Sequence, residues 1–260
     1  MADLTHIFDS HSHYDAEQFG GQECAEELIS GLFADGLSGI VHACTDFQSA
    51  EFGLMMSRKF EQFYTSIGIH PEYASEFSLD DIPRLRELAA SSKKVVAIGE
   101  IGLDYHYEGY DRERQIALFR AQVELANELD LPVIVHSRDA TGDCMEILRE
   151  LNPRGVMHCF SGSWETAKEL LSLGMYIGFT GVLTFKNAKK AREVVANMPL
   201  DRLLLETDCP YMAPEPHRGE RSHSGMIVHT AEKAAEIWGI DYQELTEATE
   251  RNVKELFGIA

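Results

Sequence analysis

The sequence predicts an α/β protein, a (β/α)₈ barrel of the TIM type in one domain spanning residues 1–260. Two observations carry that prediction. Short apolar, β-branched runs alternate eight times with amphipathic stretches, the pattern of parallel strands joined by crossover helices. In addition, residues able to bind a metal or move a proton follow nearly every one of those runs. A barrel collects its chemistry at many strand ends in this way, whereas an open doubly wound sheet gathers it at one switch point.

The expected strands are Ile7–Asp9, Gly39–Ala43, Phe63–Gly68, Val95–Gly99, Val133–His136, Gly155–Cys159, Met175–Phe179 and Arg202–Glu206. The clearest helix is Arg112–Asp130, where Ile116, Phe119, Val123, Ala126 and Leu129 recur every three or four residues and form one apolar face. Leu131-Pro132 ends it, because proline cannot continue a helix and restricts the residue before it. Further helices are expected at Gln22–Asp35, Ser49–Phe60, Ile82–Ser91, Ala140–Leu151, Ser163–Leu173 and Ala188–Met198, with a C-terminal pair at Val228–Trp238 and Tyr242–Phe257. No linker, low-complexity tract or shift in composition divides the chain.

A 44% apolar and 25% charged composition is that of a globular protein, and no apolar run is long enough to span a bilayer. The N-terminus lacks the basic region, apolar core and small-residue cleavage site of a secretory signal, so a cytoplasmic location is expected. The five cysteines are scattered with no C-x-x-C pair, against both a disulfide framework and a zinc ribbon. The formal charge of −20 argues against a broad footprint on duplex nucleic acid, which needs a basic face. It does not argue against one phosphate held at a metal centre, since bound cations offset charge locally.

His11 and His13, His70, Glu100, His136, His158, and Glu206 with Asp208 all lie at strand exits. Alternate strand residues share a face about 6.5–7 Å apart, so the imidazoles of H-x-H converge on one ion. The same parity sets Glu206 with Asp208, turns Cys209 away, and points His158 and Phe160 opposite to Cys159. Histidine nitrogens and carboxylate oxygens without thiolates suit a divalent ion such as Zn, Mn or Mg. His11, His13, Glu100, His136, His158 and Asp208 exceed one tetrahedral site, so two ions bridged by a carboxylate such as Glu100 are expected. Asp208 is the group to take the proton of a metal-held water. Acid–base work is assigned to Asp208, Glu100 and Glu206, although Glu206 serves equally as a structural carboxylate orienting a histidine. His6, His42, His106, His217, His223 and His229 are set aside as surface or hydrogen-bonded core residues.

Taken together, "DSHSHYD", "SIGIHP", "AIGEIGLDY", "LPVIVHSRDA", "HCFSG", "GFTGVLTFKNA" and "LLLETDCPY" resemble, in order, the blocks of the TatD family of metal-dependent hydrolases. The resemblance covers almost the whole chain. It implies a barrel with a divalent metal centre and deoxyribonuclease or phosphodiesterase activity, acting 3′ to 5′. By position it makes His11, His13, Glu100, His136, His158 and Asp208 the metal set, and presents His70, Arg138 and Lys186 toward substrate. One segment departs: after "APEPHRGERS" the chain reads "HSGMIVHTAEKAAEI" where the family has an Asn-x-Pro-like turn, which puts Arg218, Arg221 and substrate choice in doubt. The expected partners are DNA ends or a small phosphodiester, with no extended duplex, membrane or obligate protein partner. The competing readings are an amidohydrolase or deacylase acting on an acylated small molecule or aminoacyl-tRNA, because the same water attacks carbonyls, and a non-catalytic binding barrel.

Overall fold

Eight strands pair in parallel and in chain order: β1 (Phe8–Ser12), β2 (Gly39–His42), β3 (Phe63–Ile67), β4 (Val95–Asp104), β5 (Val133–Arg138), β6 (Gly155–Met157), β7 (Tyr176–Phe179) and β8 (Leu203–Leu205). The computed structural model describes residues 4–260, so the first three positions of the expected domain lie outside the described residues. The ring closes from β8 to β1 through a parallel bridge between Ser12 and Cys209, with His13 N–H donating to the Cys209 carbonyl (2.8 Å) and Asp208 N–H to that of His11 (3.0 Å). Between and after the strands run α1 (Gln22–Ala34), α2 (Phe47–Lys59), α3 (Ile82–Ala90), α4 (Arg112–Leu129), α5 (Thr141–Leu151), α6 (Trp164–Ser172), α7 (Lys189–Asn197), α8 (Ile227–Trp238) and α9 (Tyr242–Phe257). Among the described residues no helix is long and apolar enough to cross a membrane.

The (β/α)₈ reading holds, and the departures from it fall at strand ends that serve the site. β1 and β4 run further than the sequence suggests, to Ser12 and Asp104, so His11 and Glu100 stand within strands rather than beyond them. The expected strand ends at Gly99, yet β4 runs on through Gly102, which has φ +147° and where a Cβ would sit 2.0 Å from the His136 carbonyl oxygen. Glycine therefore lets β4 continue against β5. β6 and β8 stop early, since Cys159 (φ 44°) and Asp208 (φ 57°) take left-handed backbone. Strand parity is lost at those points, and Cys159 lines the same cleft as His158 and Phe160, contrary to the alternation expected.

Two apolar layers hold the barrel. One lies between strands and helices, with Ile40, Phe63, Ile98, Phe119, Val135 and Ile177 among its buried members. The other fills the N-terminal end of the barrel, where Phe8, Val41, Val96, Ile134 and Leu204 meet Leu256 and Phe257 of α9. Asn252 of α9 fixes that closure by donating to the carbonyls of Leu200 (2.7 Å) and Leu203 (2.9 Å). With one end plugged, the polar groups of the strands have only the opposite end at which to meet water.

Candidate metal centre

At the C-terminal mouth a cleft of about 1580 Å³ is lined by His13, His70, Glu100, His136, His158 and Asp208, among others. Beneath its surface Glu100 divides the ligand-type groups into two sets. Its Oε2 faces His11 Nε2 (3.2 Å) and His13 Nε2 (3.5 Å), and Asp208 Oδ1 faces the same nitrogens at 3.5 and 3.2 Å. Its Oε1 faces His158 Nε2 (2.8 Å) and His136 Nδ1 (2.9 Å). All six residues of the sequence-derived set thus meet around one carboxylate.

The donor geometry fits a pair of cations. His11 Nε2 and His13 Nε2 are 3.0 Å apart, and His136 Nδ1 and His158 Nε2 are 3.2 Å apart. Two imidazole nitrogens bound to one ion at about 2.0–2.1 Å lie roughly 3.0–3.4 Å from each other. Each separation matches that of two ligands sharing an ion, and the donor atoms of His11, His13 and Glu100, of His11, His158 and Asp208, and of His70, Glu100 and His136 all lie within 4.8 Å of one another.

Electrostatics of the ion-free chain agree. Burial disfavours charge on His13, but its bond to Asp208 and the charges of Glu100, Asp208 and Asp15 outweigh that and raise it to about 9. Burial likewise opposes charge on His158, which Glu100 and Glu206 nevertheless hold well above the ordinary histidine range. Burial pushes the Glu100 carboxyl up, and the neighbouring imidazoles, His158 foremost, more than reverse it, leaving it well below the usual carboxylate range. Protons on histidines thus do what cations would do: they neutralise a buried carboxylate pair.

His70, which follows β3, stands apart. Its Nδ1 accepts the Glu72 N–H (3.2 Å), so in the neutral ring the proton is on Nε2, 3.5 Å from Glu100 Oε1. A protonated Nε2 offers a hydrogen bond, not a lone pair. Arg138 lines the cleft at the end of β5, with Nη1 3.2 Å from the Tyr107 hydroxyl. Lys186 is exposed beyond the turn at Gly181–Thr184 and lies outside the residues that line the cleft. Glu206 also stays out of the cleft. Its Oε1 accepts the Cys159 N–H and lies 3.7 Å from His158 Nδ1, behind the ring. Just before the departing segment, Arg218 stacks on Phe185 (4.4 Å), while Arg221 covers Phe19 (5.1 Å) and donates to the Gln18 carbonyl.

Several further residues support the ligands, and of these Asp104 escapes sequence reasoning. Asp104 Oδ2 lies 3.1 Å from His136 Nε2, which leaves Nδ1 turned to the centre. Gln115 clamps the backbone of Asp104 in both directions, and Gln122, seven residues on along α4, clamps Ile69 beside His70. Both were visible as polar residues within an apolar helical face, the one signal available. Asp9, fully buried, accepts from the Thr207 and Ser224 hydroxyls (2.6 Å each) and from the N–H groups of Thr207 and His11. Burial pushes its carboxyl up to about 7 against those four bonds. Ser224 belongs to the departing segment, so that segment is tied directly to the first strand.

A parallel barrel carrying this donor set at its C-terminal mouth is built as a metal-dependent hydrolase. The profile of the TatD related DNase family matches residues 8–258. The chain is 41% identical to the uncharacterized metal-dependent hydrolase YabD of Bacillus subtilis, over 97% of this chain and 99% of that one. It is 33% identical to the 3′-5′ ssDNA/RNA exonuclease TatD of Enterobacter lignolyticus, covering 98% and 100% of the two chains. Among solved structures, the TatD homologue YjjV of Escherichia coli superimposes with a TM-score of 0.89 at 31% identity, over 99% of this chain and 100% of that one. The chain belongs to the TatD family of metal-dependent hydrolases.

Proposed function

We propose that this protein hydrolyses phosphodiester bonds at the ends of single-stranded DNA or RNA, in the 3′ to 5′ direction. The observation that carries the reading is Glu100 standing between two pairs of imidazole nitrogens, each pair spaced for one ion. In this reading His11, His13, His136, His158, Asp208 and Glu100 would hold two divalent ions. So held, the ions would supply a nucleophilic water near neutral pH and polarise a phosphoryl oxygen. The relatives named as 3′-5′ ssDNA/RNA exonucleases, at 33% and 36% identity, support the substrate class.

The remaining roles belong to the chain. Asp208 lines the cleft and takes the proton released as the water attacks. His70 donates its Nε2–H to a phosphoryl oxygen beside Glu100, and Arg138 meets the flanking phosphate charge at the rim. Asp104 and Glu206 act through His136 and His158, fixing their rings. A net charge of −20 disfavours a long duplex footprint, in keeping with recognition of an end. With Mn²⁺ the protein should shorten a 5′-labelled single-stranded oligonucleotide one nucleotide at a time, and should stop in EDTA or on His136→Ala. Turnover of a parallel set of esters and amides, with the oligonucleotide left intact, would instead establish the deacylase.

A further inference from the structure

Among the described residues the exposed large apolar side chains are Leu79, Tyr107, Tyr110, Tyr211 and Met212, and three of these five line the cleft. Tyr107 is 53% exposed, Tyr211 50% and Met212 40%, in a cleft whose floor carries the ligand set. Tyr110, by contrast, is stacked on Tyr105 at 4.6 Å. The two cleft tyrosines are linked to opposite sides of Glu100. Asp104, which orients His136, accepts the His106 N–H (2.8 Å); the His106 ring meets the Tyr107 ring edge-on at 5.2 Å. Arg138 lies 5.2 Å from the Tyr107 ring centre and donates to its hydroxyl, so that ring is held from two sides. Tyr211 closes a turn on Asp208, its N–H donating to the Asp208 carbonyl at 2.9 Å. One tyrosine is therefore keyed to the His136 side of Glu100 and the other to the Asp208 side.

We propose that Tyr107 and Tyr211 are two stacking posts, each taking the base of one of the two nucleotides that flank the scissile phosphate, with Met212 widening the second. The inference rests on the phosphodiesterase reading and specifies how a strand end is gripped. A chain of net charge −20 gains little from the sugar–phosphate backbone at large. Affinity for a strand end then has to come from the metals and from aromatic faces, and base stacking tolerates any sequence because every base presents a π-face. The splayed bases of a single strand can reach such posts, whereas paired bases inside a duplex cannot.

The test is binding of 5′-fluorescein-labelled hexathymidylates with phosphorothioate links, read by anisotropy with Mn²⁺. One strand is complete, one lacks the 3′-terminal base and one lacks the next. Tyr107→Ala and Tyr211→Ala should each weaken the complete strand roughly five- to hundredfold. Each loss should vanish on the strand lacking one base, a different base for each tyrosine. Tyr107→Phe, which keeps the ring, should bind the complete strand nearly as the parent does. Losses equal on all three strands, or no loss, would overturn the stacking posts, as would failure of the parent to bind any strand. Cleavage of the ordinary phosphodiester strand is scored separately. Parent protein that cleaves while the tyrosine variants bind normally leaves the nuclease standing and removes the posts. Base-dependent binding without cleavage does the reverse.

Discussion

The two ends of the barrel use the same eight strands for opposite purposes. At the N-terminal end Phe8, Val41, Val96, Ile134 and Leu204 meet Leu256 and Phe257 of α9 in one apolar cluster. At the C-terminal end those strands present His11, Glu100 and His136, and the segments after them present His13, His158 and Asp208. The difference teaches that stability and chemistry are separated along each strand by only a few residues. A polar cluster that is costly to bury is tolerable because the other end supplies the packing.

Substitutions that respect or cross this division test it. Glu100→Gln should have the largest effect, since one carboxylate faces both pairs of imidazoles. A fall in kcat/KM on the order of 10³-fold, about 4 kcal/mol, is expected with loss of calorimetrically detected Mn²⁺ binding. Leu256→Ala at the plugged end should cost about 2–5 kcal/mol in denaturant unfolding while kcat per folded molecule stays at the parent value. A matching fall in kcat would show the two ends to be coupled.

Smaller effects sharpen the picture at the mouth. Asp104→Asn keeps the shape but removes the charge that orients His136, and should lower metal affinity about 10–100-fold with little change in thermal stability. The pH dependence of the ion-free chain follows from His13, raised from 6.5 to about 9. Because the folded value exceeds the unfolded one, its protonated form contributes stability fully below pH 6.5, and that contribution is lost as pH rises through about 9. Metal binding must displace the same proton, so Mn²⁺ affinity should rise by about tenfold per pH unit across that window, with proton release seen in buffers of different ionisation enthalpy. An affinity flat between pH 6.5 and 8.5 would contradict the charged His13.

What the sequence made legible was whatever repeats or clusters along the chain. The eightfold alternation reveals the barrel, and the ligand types are conspicuous because each follows an apolar run. The groups that hold them are not, because their partners are distant in sequence: Asp9 pairs with Thr207 and Ser224, Asp104 with His136, and Gln122 with Ile69. Gln115 and Gln122 look like helix polarity until their carbonyls and amides are found on strand-end backbone. The extent of β4 beyond Gly99 was hidden because the close contact of Gly102 with β5 is made to a residue distant in sequence.

The most direct test of the metal centre is a crystal structure of the Mn²⁺-loaded protein with anomalous scattering recorded at the manganese edge. Two ions about 3.5–4 Å apart are predicted, both bonded to Glu100, one to His11, His13 and Asp208 and the other to His136 and His158, with His70 bonded to neither. A single ion, or a site in which His70 is a ligand and Glu100 is not, would contradict the account.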